Sequence, residues 1–204
     1  MLLTTYYGFT VPQIIAMVVG LLVVIFIFVT IKDKINRKKA ETSGDKEAVL
    51  NIMKKVVPDL ENYVGAYGRW EWTTYQGRSQ RTSYWYYGVA FNNERIYVVP
   101  LSCEAGDFSY SGSFCIEKKD VAIVNSKKGA AWVELYDLHQ KELLSLMVLA
   151  ENLKDDKYHP VNILQPDAEK AFIEWKDRWM DEINPINNVE VTGKMKQPVK
   201  AKKI

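Results

Sequence analysis

Residues 11–31 read VPQIIAMVVGLLVVIFIFVTI, 21 positions without a charged side chain. As a helix rising ~1.5 Å per residue this run spans roughly 31 Å, the thickness of a bilayer's hydrocarbon core. Fifteen of its positions are Val, Ile, Leu or Phe, which together favour membrane insertion by roughly 4 to 9 kcal/mol. These side chains fall on every face of the helix, whereas the core helix of a soluble domain carries one apolar stripe. Thr10, able to cap early N–H groups, and Pro12, tolerated in a first turn, mark the start.

The flanks of the run differ in charge. Residues 1–10 contain no Lys, Arg, Asp or Glu, while Lys32, Lys34, Arg37, Lys38 and Lys39 follow it with only Asp33 among them. A positive flank stays in the cytoplasm. The sequence therefore predicts a single-pass protein of the cell membrane, with residues 1–10 outside, the span at 11–31, and the rest of the chain in the cytoplasm. The five basic residues are expected to contact the membrane surface. A cleaved secretory signal would carry basic residues before the apolar run and a small-x-small site after it, and neither is present. Tyr6, Tyr7 and Phe9 sit where an interfacial aromatic belt is expected. Residues 32–45 read as a basic juxtamembrane linker.

Further along, residues 46–62 read as a short helix: Ala48, Val49, Ile52, Met53, Val56 and Val57 recur at helical spacing until Pro58. From Tyr63 the chain turns to aromatic and β-branched runs separated by turn clusters. Strands are predicted at 63–74, 83–91, 95–101, 109–116, 121–124, 131–136 and 143–148. Helical periodicity returns at 167–183, where Ala168, Ala171, Phe172, Trp175, Trp179 and Ile183 form a broad apolar stripe that must be buried, most naturally against the open end of the strand bundle. Residues 184–204 are polar and lysine-rich, and are expected to be disordered. The net charge is only +2, with the positive excess in the collar and the tail, so nucleic acid is not an expected partner. Cys103 and Cys115 are expected to be free thiols acting as small core residues.

Seven strands followed by one aromatic-bearing helix resemble a pleckstrin-homology-like (PH-like) barrel, of the bacterial PH-like or GRAM-like kind found beside membrane anchors. The likeness covers residues 63–183. It rests on the hairpin phrase from Tyr86-Tyr87-Gly88-Val89 to Val98-Val99-Pro100, on Trp132-Val133-Glu134-Leu135-Tyr136, and on the closing helix with Trp175. Other small β-barrels share part of this pattern. The resemblance implies a mainly β fold capped by a C-terminal helix. It also implies a binding or scaffolding role, with basic residues around the first hairpin loop gripping anionic lipid headgroups. Arg69, Arg78 and Arg81 lie in that region, although Arg81-Thr82-Ser83 lacks the family's basic residue two positions on.

Trp70, Trp72, Tyr84, Trp85, Tyr86 and Tyr87 make the densest aromatic cluster, and alternation must send its members to opposite faces. Trp72 and Trp85 join the three arginines as the candidate site for lipid or for a membrane-protein partner. No metal site, cofactor motif or catalytic signature stands out, so a non-enzymatic role is expected. His139 and His159 read as solvated loop residues, and Asp155-Asp156 as a solvated acidic loop. A structural subunit of a larger membrane assembly is one alternative. The other is an enzyme with an unfamiliar site, for which Glu71, Glu134, Asp137 and His139 are the available polar groups.

Overall fold

Two short strands, β1 (Thr5–Tyr6) and β2 (Phe9–Thr10), pair antiparallel and lead into the long helix α1 (Val11–Thr42). Thr10 is the N-cap and Pro12 lies in the first turn, as the sequence predicts. Gln13 Oε1 accepts hydrogen bonds from the Thr10 N–H at 2.9 Å and from its hydroxyl at 3.0 Å. In this computed structural model residues 5–6, 9–76, 79–104, 107–154 and 159–186 are described. Arg78, Tyr7, Asp155, Asp156 and the lysine-rich tail from residue 187 lie outside them. Among the described residues one helix, at the N-terminus, is long and apolar enough to cross a membrane, and the protein packs nothing around its apolar stretch.

The collar departs from the linker reading, because α1 continues as one helix of 32 residues through Thr42. The reason is local: lysine, arginine, alanine and glutamate are good helix formers, and no glycine or proline interrupts them before Gly44. The chain turns only at Ser43-Gly44, where Gly44 adopts φ +74°, open to glycine without steric cost. Helix α2 (Asp45–Val56) follows, with Asp45 and Glu47 in its first turn, and a single 3-10 turn at Leu60–Asn62 leads into the sheet.

Eight strands form one antiparallel sheet: β3 (Val64–Gln76), β4 (Ser79–Phe91), β5 (Arg95–Glu104), β6 (Asp107–Tyr110), β7 (Phe114–Glu117), β8 (Ile123–Asn125), β9 (Trp132–Tyr136) and β10 (Glu142–Met147). Their order is β6-β5-β4-β3-β10-β9-β8, with β7 also on β5. A small pair, β11 (Glu151–Asn152) with β12 (Ile163–Leu164), precedes the closing helix α3 (Pro166–Ile183). The mainly β fold with an N-terminal apolar helix and a C-terminal helix is thus as predicted. One predicted strand, 109–116, is in fact two. Ser111-Gly112-Ser113 breaks it, with Gly112 at φ +121°, and β5 takes β6 along one half and β7 along the other. Pro100, which has no N–H to offer a ladder, falls at the change of partner between Val98 and Leu101.

Alternation gives the sheet two buried faces. The inner one carries Ala66, Val89, Phe91, Ile96 and Val98 against β8–β10 and against Phe172, Trp175, Trp179 and Ile183 of α3. The stripe read from the sequence is therefore buried, and it plugs the end of the curved sheet near Phe91, whose ring centroid lies 5.7 Å from that of Phe172 and 5.3 Å from that of Trp175. Opposite it, the outer face packs Tyr67, Ala90, Val99 and Leu101 against Val49, Ile52 and Met53 of α2. Gly88 permits that approach, since a Cβ there would stand 2.9 Å from Met53 Cγ.

Two carboxamides fasten α3 to the sheet. Before its first turn, Gln165 accepts the Tyr67 N–H at 2.9 Å and donates to the Tyr67 carbonyl at 2.7 Å. After its last turn, Asn184 does the same for Val124, at 2.9 and 3.0 Å. Each side chain stands in for a neighbouring strand on a backbone that would otherwise be buried unpaired.

Candidate ligand pocket

The β3–β4 hairpin is longer than the sheet that supports it. Pairing between β4 and β5 stops at Tyr86, and β10 joins β3 at Arg69. Beyond those positions the hairpin runs on as a two-stranded ribbon to Gln76 and Ser79. Trp70 pairs directly with Trp85 and Trp72 with Ser83, so all three tryptophans share the inner face with Tyr87. With α3 filling the opposite end, these aromatics line an open mouth.

That mouth is a pocket of about 650 Å³. One wall is Trp70, Trp72, Trp85, Tyr87, Pro100 and Phe114; the other is Glu142, Leu143, Leu144 and Ser145 of β10. Trp70 is 6% exposed and forms the floor, whereas Trp85 and Phe114 are 43% and 41% exposed and form the rim. Glu142 Oε1 accepts a hydrogen bond from the Ser145 hydroxyl at 2.7 Å. Burial, reinforced by the Glu142 carboxylate, pushes the Tyr87 hydroxyl up to about 12, so at neutral pH it stays a neutral donor. The lining thus offers aromatic faces, one carboxylate and two hydroxyls.

The residues named from sequence divide between the two faces. Trp72 and Trp85 come together in the mouth. Arg69 lies on the outer face, its side chain only 15% exposed, 3.4 Å from Glu71 and 2.6 Å from Nδ1 of His159. Arg81 is exposed and pairs with Thr74, so it shares the inner face near the hairpin's tip. Arg69 and Arg81 therefore lie on opposite faces of the hairpin.

Other expectations change as well. His159 is not a solvated loop residue: it packs edge-on against Tyr84, with ring centroids 6.0 Å apart, and contacts Arg69. Its partners lie 90 positions or fewer upstream, so only the fold brings them together. Cys103 is half-buried and Cys115 exposed, both on the outer face of β5 and β7, and neither belongs to the core. His139 is exposed, as expected. Glu71 is engaged with Arg69, Glu134 is sealed in the sheet with Asn125 and the Tyr136 hydroxyl, and the Asp137 carboxylate accepts turn N–H groups from His139 and Lys141. The pocket residues that sequence reading missed are Trp70 and Tyr87 as lining groups, Pro100, Phe114 and the β10 run from Glu142 to Ser145. Only the pairing of β5 with β7 and the return of β10 to β3 could reveal them.

The basic collar is helical. Lys32, Lys34, Arg37, Lys38 and Lys39 are all exposed on α1 and ring it on several sides. Arg37 pairs with Glu151 at 2.9 Å. At the base of the helix, the Ser43 hydroxyl donates to the Asn162 carbonyl and the Asp45 carboxylate accepts the Asn162 N–H, both at 2.7 Å. Among the described residues no group of three His, Cys, Asp or Glu could hold a metal. A scan against models of known protein families finds no match, and a search of curated proteins finds none.

Proposed function

We propose that this chain is a membrane-anchored binding module of PH-like architecture, with α1 in the cell membrane, the N-terminus outside and the β domain in the cytoplasm. The observation that carries the reading is the aromatic pocket at the open end of the sheet. It has the size and apolar character of a ligand site, and its rim leaves large aromatic side chains uncovered. Support for the PH-like reading comes from seven strands, β3, β4, β5, β7, β8, β9 and β10, whose last member returns to the first, and from the helix that plugs the far end. The anchor holds the domain beside the bilayer, where even a weak site becomes occupied by a lipid headgroup or a neighbouring membrane protein. Fold and function are separate matters, so the role rests on the pocket.

A photo-crosslinking residue at Trp85, in the mouth, tests this against the same residue at Lys54, on the exposed side of α2. In native membranes the first yields a discrete adduct and the second does not. Equal labelling from both positions would remove the pocket as the binding site.

A further inference from the structure

We infer that the pocket takes a quaternary ammonium group, an inference that rests on the pocket being the binding site. The argument turns on the sign of charge. Three indoles, a phenol and a phenyl ring form one wall, and the opposite wall supplies Glu142. Among the described residues of the lining there is no lysine, arginine or histidine. An anion would therefore meet ring faces, which are electron-rich, and a carboxylate, whereas Arg81, on the same face beyond Trp72, is exposed and is not part of the lining. A cation gains from both, and tryptophan is the best of the aromatic partners.

Shape narrows the class. A bare ammonium such as that of lysine keeps its water shell at low cost and has little to gain from an apolar wall. An alkylated ammonium carries its charge beneath methyl groups, so the indole faces, Leu144 and Phe114 can cover it while Glu142 balances the charge. About 650 Å³ is ample for such a headgroup. Ser145, only 7% exposed, holds Glu142 by its hydroxyl and fixes the carboxylate on the wall opposite the rings. Two sources share this chemistry: a free choline-like solute and the headgroup of a choline lipid.

The test uses the full chain in phosphatidylglycerol nanodiscs, titrated with choline while tryptophan fluorescence is read. The neutral isostere 3,3-dimethylbutanol serves as the uncharged comparison. Choline is expected to give a saturable change and the isostere a much weaker one. Trp85→Ala, a rim change that leaves the floor intact, should weaken choline by roughly 2- to 30-fold. Glu142→Gln should bring choline close to the isostere. Loss of the choline response in phosphatidylcholine nanodiscs identifies the lipid headgroup as the source, and its persistence there identifies a free solute. Equal saturation by choline and by the isostere overturns the cation while leaving a binding pocket. Saturation by neither overturns the pocket reading itself.

Discussion

Gln165 and Asn184 each satisfy both backbone groups of a buried strand residue. Replacing either with leucine removes the partner and leaves an N–H and a C=O without water, at a cost of about 1–3 kcal/mol. Thermal melts of Gln165→Leu and Asn184→Leu should fall by several degrees, and a melt unchanged from the parent would show that the carboxamides are dispensable. Tyr87 makes a second residue-scale prediction. Its ordinary value of 10.0 is raised to about 12 in the fold, so the folded state holds its proton longer than the unfolded chain does. The associated stability is complete below pH 10 and is lost as pH rises through 12. Tyr87→Phe should therefore flatten the decline in melting temperature over that window. Little of this was legible in the sequence. Alternation grouped Trp72 with Trp85 and separated them from Arg69 in principle, but nothing in the order of residues tells which face becomes the inside. The carboxamides were invisible, because each acts on a residue at least 60 positions away.

Among elements, α3 was the most readable, since its stripe alone demands burial. Trp179 is fully buried and its indole N–H donates to the Asn93 carbonyl at 2.9 Å. Trp179→Ala should cost about 3–5 kcal/mol, measurable as a lowered denaturation midpoint of the full chain in detergent. The β3–β4 hairpin was read as two strands, yet its excess length was not foreseen. The sequence shows where a strand can run, not where its neighbours stop. Two-stranded ribbons are marginal by themselves, so the outer half of the hairpin should open more readily than the half backed by β5 and β10. Hydrogen exchange would show amides of 71–75 and 80–84 exchanging before those of 87–91. Simultaneous exchange would mean that a ligand-free mouth is as firmly held as the core. The break at Ser111-Gly112-Ser113 was present in the sequence as a breaker, but the surrounding β-branched and aromatic residues masked it.

For the molecule as a whole, the proposed orientation rests on charge asymmetry across the apolar run. Protease added to intact cells should spare the β domain, and inside-out vesicles should expose it; digestion in intact cells would invert the topology. The collar's basic charge was legible, and its helix-forming composition without glycine or proline before Gly44 was the signal that α1 continues through it. The helical outcome matters. Since α1 runs unbroken from the apolar stretch to Thr42 and is tied at its base to Asn162, one continuous helix would join a bilayer to the domain in the proposed placement. Each residue of an α-helix advances about 100° around its axis. Inserting a single alanine after Ile31 would therefore swing the mouth by about that angle in the plane of the membrane while hardly changing its height. The azimuth of the pocket about the helix axis is set by a residue count, and two insertions, about 200° of rotation, would turn it to face the other way.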